Sequence, residues 1–278
     1  MTTIALLRGG GELGTGVAHA LVGAGLRVVV VELPLPRTLR HGVAFASAAV
    51  DGRIEVEGVV AVHCPTRRAI RAAWKADQVA VWTGAEDDLG LEPAVLVDAR
   101  MRRLTAPLST RDEAPVVIGI GPGFVAGDDV DYVIESNRGP QLGRLIAAGN
   151  AEDHTGIPGE VMGLRAERLL RAPRAGVLTR RLAPGDWVEP GDVVAAIDGA
   201  PVCSQLRGMI RGLKLSGVPV GERHKVGDVD PRRDRALLTT MTDKSRAVGQ
   251  AAVTAIAQAG LASASGASHE PHPRKDLS

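Results

Sequence analysis

The sequence predicts an α/β fold: a Rossmann-like, mostly parallel sheet with a small β barrel-sandwich module inserted into it or appended to it. Three observations carry that expectation. Apolar strands alternate with helices in short units through residues 1–170, the pattern of a parallel sheet with helices on its faces. The first unit ends its strand in Gly9-Gly10-Gly11-Glu12-Leu13-Gly14, a G-x-G-x-x-G register. From about Arg171 the helical pattern gives way to short strand-like pieces between glycines.

Residues 3–8 read as a buried parallel strand, and Thr15–Gly25 as an Ala-rich helix closed by a glycine. Residues 27–32 form the second strand, stopped by Pro34 and Pro36. A short Val43–Val50 segment, a strand pair over 53–62 and a helix near 66–76 follow, then strands near Val79–Trp82 and Ala94–Asp98. The run 115–120 is another strand, entering a second glycine turn at Gly119-Ile120-Gly121-Pro122-Gly123, and Asp131–Ser136 is the next strand. Thr155-Gly156-Ile157-Pro158-Gly159-Glu160 reads as an ordered functional loop.

The β module, 171–235, carries a faint duplication. Gly176-Val177-Leu178 corresponds to Gly208-Met209-Ile210, and Gly191-Asp192-Val193 to Gly227-Asp228-Val229. Residues 236–260 return to the first domain, Ala236–Thr240 as a strand and Asp243–Ala259 as a helix. Residues 261–278, rich in Ser, Pro, His and charge, are expected to be disordered.

Composition narrows the function. Aromatic residues make up 2% of the 278-residue chain, and its formal net charge is +1. Stacking platforms for single-stranded nucleic acid and a general attraction to nucleic acid or anionic membrane are therefore not expected. Cys64 and Cys203 form no C-x-x-C pair, which argues against a zinc knuckle or disulfide scaffold. No leader or spanning segment is visible, so a cytoplasmic protein is expected.

The candidate binding residues lie where open parallel sheets bind ligands, beyond the carboxyl ends of strands. Gly9 permits the first turn, Gly11 lets a pyrophosphate approach the backbone, and Gly14 lets helix and strand pack closely. Arg8 adds positive charge. Glu32 stands where a carboxylate would take ribose hydroxyls and favour NAD over NADP, a preference that Arg37 and Arg40 weaken. Asp98 ends a neighbouring strand. Gly121 and Gly123 could form a second nest of amides for an anion. For each turn the alternative is a plain glycine turn without a ligand. Asp128, Asp129 and Asp131 could hold Mg²⁺ or be a solvated loop, and His63 and Cys64 read as structural. No metal ligand set and no catalytic residue is assigned.

Several blocks in order resemble a known family: Arg8–His19, Val30-Val31-Glu32-Leu33, Val97-Asp98-Ala99-Arg100, Ile118–Phe124, Thr155–Glu160, Arg171-Ala172-Pro173 and Lys225–Arg232. The chain resembles the YqeB-type, or EF2563-family, selenium-dependent molybdenum hydroxylase system proteins. In that family the first turn usually reads G-A-G-D after a Lys; here Arg8 and Glu12 keep both charges. The resemblance implies a maturation factor for a molybdenum hydroxylase client of the xanthine dehydrogenase type, and supplies no reaction. Residues 172–229 are also similar to biotinyl/lipoyl-like hammerhead domains, through Gly185-Asp186-Trp187-Val188-Glu189-Pro190-Gly191-Asp192. Carrier versions present a modifiable Lys near the position of 197–204. This chain has none there, so no biotin or lipoate attachment is expected.

Three functions follow as expectations. The first is an accessory factor that binds a nucleotide or phosphate ligand, NAD or a molybdopterin nucleotide. The second is a free-standing NAD-dependent oxidoreductase with Asp98 or Glu160 as proton-transfer residue. The third is a non-catalytic, nucleotide-gated adaptor.

Overall fold

The structure, a computed structural model, describes residues 3–101, 109–153 and 159–261. Most of the Thr155–Glu160 loop and of the C-terminal tail thus lies outside the described residues.

Strand β1 (Ile4–Arg8) runs through the glycine turn into α1 (Glu12–Gly23). The helix begins earlier than its Ala-rich stretch suggests, because Gly11, in extended conformation, is itself the N-cap. Strand β2 (Arg27–Val31) is followed by two 3₁₀ turns and the four-residue α2 (Ala48–Asp51), which fill the Val43–Val50 segment. Strands β3 (Arg53–Val56) and β4 (Val59–His63) pair as a hairpin. Helix α3 (Arg67–Lys75) starts at Thr66, whose Oγ1 accepts the Ala69 amide at 3.2 Å, a cap that satisfies one orphan donor. Then come β5 (Val79–Trp82), β6 (Val95–Asp98), β7 (Val116–Ile120), β8 (Val125–Ala126), β9 (Tyr132–Ile134), β10 (Leu145–Ile146) and β11 (Gly149–Asn150).

The main sheet has nine strands in the order β10-β9-β7-β6-β1-β2-β5-β4-β3. Its interior is parallel, and β3 and β10 close the two edges antiparallel. Side chains alternate across it, as strand pleating requires. Leu7, Val28 and Val30 join the cluster holding Val17 and Leu21 of α1. Leu6 and Val29 join the one holding Ile70 and Trp74 of α3. Both faces are covered, which is why the parallel strands read as unbroken apolar runs.

Helix α4 (Asp243–Gln258) packs on α1 through glycines. A Cβ on Gly16 would lie 2.2 Å from the Ser245 carbonyl oxygen, and one on Gly249 2.3 Å from that of Gly16. The two backbones touch, so α1 and α4 lie side by side on one face of the sheet, α1 over β1 and β2 and α4 over β7, β9 and β10.

The β module comprises β12 (Leu169–Arg171), β13 (Gly176–Arg180), β14 (Trp187–Val188), β15 (Val193–Ile197), β16 (Ala200–Cys203), β17 (Gly208–Leu213), β18 (Pro219–Val220) and β19 (Lys225–Asp230). They form two four-stranded sheets, β12-β19-β17-β14 and β16-β15-β13-β18, over a core containing Leu178, Val194, Ile197, Ile210, Val226 and Val229. The duplication is real and regular: β13, β14 and β15 begin at 176, 187 and 193, and β17, β18 and β19 begin 32 residues later at 208, 219 and 225. Gly176 therefore matches Gly208 as the sequence suggests. Gly191-Asp192-Val193 matches Arg223-His224-Lys225, not Gly227-Asp228-Val229, because the strand starts keep one offset throughout. Each half lends its short strand to the other: β14 pairs with β17, and β18 with β13.

One further expectation is corrected. Residues 236–240 do not form a strand; Arg235–Leu238 is a 3₁₀ turn, started by Asp234, whose carboxylate accepts the Ala236 amide at 2.9 Å. The carbonyls of Leu237 and Thr240 go instead to the buried Arg40 guanidinium. Among the described residues no helix is long and apolar enough to cross a membrane.

Candidate functional site

The residues assigned from sequence are largely engaged with one another. Arg8 ends β1 beside Asp98 at the end of β6, at the point where strand order departs in two directions. Its guanidinium binds both oxygens of Glu86 through Nε, Ser109 Oγ at 2.7 Å, and Glu113. Burial works against its charge, but the hydrogen bonds and charges of Glu86 and Glu113 outweigh burial and raise its pKa. Asp98, almost fully buried, accepts from Arg100 Nε and from Ser109 Oγ, each at 2.9 Å. Burial would raise this carboxyl's pKa; the Arg100 guanidinium and these hydrogen bonds hold it below the ordinary range. Such a carboxylate is already saturated and poorly placed to trade protons.

Glu32 also faces inward. Its Oε2 accepts the Gly10 amide and its Oε1 the Leu33 amide, both at 2.8 Å. Gly9 adopts φ +97°, and a Cβ on Gly14 would lie 2.1 Å from the Gly9 carbonyl oxygen. That is the close helix–turn packing for which a glycine is required. Gly11 is open: a Cβ there would find Thr38 Oγ1 as its nearest neighbour, at 3.9 Å. Gly121 and Gly123 have positive φ, and Gly121 packs against Met101 and Ser136. Asp129 and Asp131 accept the Val125 and Val117 amides at 2.8 Å. Among the described residues no group of His, Cys, Asp and Glu is placed to hold a metal ion. His63 Nε2 lies 2.9 Å from Thr83 Oγ1, and Cys64 is buried.

What the sequence does not announce is a cleft of about 990 Å³ between the main sheet and the β module. Small-molecule sites commonly span roughly 300–1,000 Å³ but are mostly apolar. This one is lined by eight Arg and Lys side chains and four carboxylates, although the whole chain carries only +1. Glu12, directly after Gly11, and Met101, against Gly121, stand on its wall. The two glycine turns thus reach the rim through their neighbours. The eight assigned residues themselves do not line it.

The two modules meet along the segment after β2. Leu35 packs against the β-module core, the Leu213 amide donates to the Leu39 carbonyl at 2.9 Å, and Lys214 Nζ donates to the Arg37 carbonyl at 2.7 Å. Arg40 anchors the joint: Nη1 binds Glu12 Oε1 at 2.5 Å while Nη2 takes the Leu237 and Thr240 carbonyls at 2.6 and 2.9 Å. Thr242 Oγ1 donates to the same Glu12 oxygen at 2.6 Å, which ties the start of α4 to the start of α1.

Facing this joint, β17 and β19 present Arg211, Lys225 and Asp228, with Arg168 from the turn before β12. The β17–β19 register slips between Ile210 and Gly212. Arg211 is the extra residue of that bulge, a device that re-aims a side chain. Burial lowers the pKa values of Arg40, Arg168 and Lys214, the last to about 8, and for Lys214 the charges of Arg37 and Lys225 add to the effect. For Arg40 and Arg168, burial outweighs the favourable charges of Glu12, Asp228 and Asp230. One signal was present in the sequence: Arg211 interrupts an apolar run, Met209-Ile210-Arg211-Gly212-Leu213.

Comparison with known proteins adds one relative. The chain is 39% identical over 256 residues to the Escherichia coli (strain K12) protein described as "Uncharacterized protein YqeB", a match covering 91% of this chain and 47% of that protein. The chain thus spans about half the length of the curated relative it matches. The likeness supports the YqeB family name. No family model matches. Among solved structures, that of an aspartoacylase family protein from Mesorhizobium loti aligns with 83% of this chain and 86% of that one, at 10% identity. Its TM-score of 0.26 is too low to establish a shared fold.

Proposed function

We propose that this chain, YqeB-like over most of its length, is an accessory protein that holds a phosphorylated, nucleotide-containing ligand in the cleft between its sheet and its β module. The client would be a molybdenum-dependent hydroxylase, and the ligand its pterin cofactor in nucleotide form. The observation that supports a phosphorylated ligand is the concentration of eight cations in one cleft of a nearly neutral chain. Eight cations against four carboxylates leave the lining an excess of positive charge, which gathers counter-ions. The client is drawn from the family resemblance; the anionic chemistry is drawn from the cleft.

The second and third functions rank below it. The Asp98 carboxylate is saturated, and Glu160, which lines the cleft, accepts from Arg165 Nε at 2.9 Å; an adaptor role would use the same ligand site without adding an observation of its own.

The test is a thermal-shift screen of the full chain with NAD, NADP, CTP, GTP and molybdopterin nucleotides. Binding to the folded state alone stabilises by about 2.7 kcal/mol at a ligand concentration of 100 times Kd. Molybdopterin nucleotides should give the largest shift, and added salt should reduce it. No shift with any of them would overturn the reading. Co-expression with a molybdenum hydroxylase then reads the accessory role, as the fraction of cofactor-loaded client with and without this chain.

A further inference from the structure

Three cations converge on one carboxylate oxygen without bonding to it. Arg168 Nη2, Arg211 Nη1 and Lys225 Nζ lie 3.9, 3.7 and 3.9 Å from Asp228 Oδ2, beyond hydrogen-bond reach. Arg168 is otherwise engaged, with Nη1 on the Gly159 carbonyl and Nη2 3.2 Å from Asp230 Oδ2. Arg211 is not. Its side chain is 15% exposed, and among the described residues its Nε is buried without a hydrogen-bond partner. A guanidinium carries five donors, and a buried donor left unmade is costly enough to require an explanation. The backbone beside it packs closely on the same carboxylate: a Cβ on Gly212 would lie 3.0 Å from Asp228 Oδ1 and 3.2 Å from Arg40 Cγ. The Lys225–Arg232 block supplies Lys225 and Asp228 to this cluster.

We propose that Arg168, Arg211 and Lys225 form a phosphoryl subsite in which Asp228 selects an oxyanion that carries a proton. This rests on the phosphorylated-ligand reading of the cleft and adds to it a place for a terminal phosphoryl group. Three cations around one carboxylate leave net positive charge for a tetrahedral oxyanion, and the Arg fork matches two of its oxygens. A carboxylate beside that anion repels a fully deprotonated one and accepts a hydrogen bond from a P–OH oxygen. Inorganic phosphate and phosphate monoesters keep such a proton in part near neutrality, with a second pKa of about 6 for monoesters; the bridging diester phosphates of a dinucleotide keep none, so the subsite takes a terminal phosphoryl group. Sulfate has no such proton to offer. The subsite therefore discriminates phosphate from sulfate, which cations alone do poorly.

The test is isothermal titration of the full chain, slightly below neutral pH and at low salt, with inorganic phosphate, sulfate and a nucleoside monophosphate. Phosphate should bind about tenfold or more tightly than sulfate, and Arg211→Gln should weaken phosphate by a similar factor, as expected for a lost charge-assisted hydrogen bond. Asp228→Asn should close the gap by strengthening sulfate, a gain that misfolding cannot produce. Lys225→Met serves as second loss variant if Arg211→Gln fails to fold, checked by circular dichroism. Tighter binding of the monophosphate identifies a nucleotide as the source of the phosphoryl group; equal or weaker binding identifies free phosphate; both support the subsite if Arg211→Gln reduces them. Equal affinity for phosphate and sulfate in the wild type would overturn it. So would phosphate binding indifferent to all three substitutions, although the cleft reading would then survive. If no phosphorylated probe binds, both fall.

Discussion

Glu32 Oε2 accepts the Gly10 amide at 2.8 Å, so the acid at the end of β2 already fastens the glycine turn beside it. Its other oxygen takes the Leu33 amide at the same distance. Glu32→Ala should therefore cost stability, about 1.5–3 kcal/mol for lost hydrogen bonds to a charged group, read as a lower midpoint in urea at unchanged m. Affinity for the best phosphorylated ligand should stay within a factor of about two, well under the tenfold that 1.4 kcal/mol represents. A tenfold loss of nucleotide affinity with inorganic phosphate affinity intact would instead make Glu32 a ribose ligand.

Arg8 gives a parallel case. It bridges Glu86, Glu113 and Ser109, and Ser109 bridges on to Asp98. Arg8→Met leaves these carboxylates without their cation, and breaking one side of a buried pair costs about 3–5 kcal/mol. Arg8 is partly exposed, so the loss should fall at or below the lower end of that range. Thermal unfolding should show it with phosphate binding retained. Loss of binding in a fully folded Arg8→Met protein would return the glycine turn to the role of phosphate grip.

Lys214 sets a pH dependence. Its pKa falls from 10.5 in the unfolded chain to about 8 in the fold. Between those values the unfolded state holds the extra proton, so this residue makes stability rise with pH from about 8 to 10.5. Ligand affinity should move the other way. As pH passes through about 8 the cleft loses one positive charge, while inorganic phosphate is already the dianion and keeps its remaining proton. The affinity for inorganic phosphate should drop across that window in the wild type, and Lys214→Arg should flatten the profile, because arginine does not titrate there. A wild-type profile without the drop would show that Lys214 does not face the bound anion.

The contact between α1 and α4 predicts an intolerance. With Gly249 Cβ placed 2.3 Å from the Gly16 carbonyl oxygen, Gly249→Ala must push the helices apart. Overpacking of this kind costs about 1–3 kcal/mol, measurable in chemical denaturation. Since Thr242 and Glu12 join the helix starts at the cleft wall, phosphate affinity should fall together with stability. An unchanged melting curve would show that the helices slide past one another without cost.

The fold was legible in the sequence where one physical rule governs a continuous stretch. Doubly covered parallel strands such as Arg27–Val31 and Val116–Ile120 are unbroken apolar runs, and the glycine turn names the βα junction. The repeat was visible at Gly176 and Gly208, but its offset was not, because strand starts such as Val193 and Lys225 share position without sharing chemistry. The strand expected at 236–240 failed because Arg40, nearly two hundred positions earlier, claims its carbonyls. The cleft was illegible for the same reason. Arg40, Arg168, Arg211 and Lys225 come from four separate stretches, and only packing of the two modules puts them together.

The 32-residue repeat has a further consequence for how such a site can arise. Counting back from Arg211, Lys225 and Asp228 leads to Thr179, Val193 and Ala196 in the matching half. Two copies of one strand pattern thus share strand positions but differ in polarity, and Thr179 pairs in regular register where Arg211 is bulged. The charged copy abuts the segment after β2 through Leu213 and Lys214, and the plain copy does not line the cleft. The module keeps, at those three positions, an uncharged twin of the face that lines the cleft, a built-in reference surface against which the contribution of each cation can be judged within a single polypeptide.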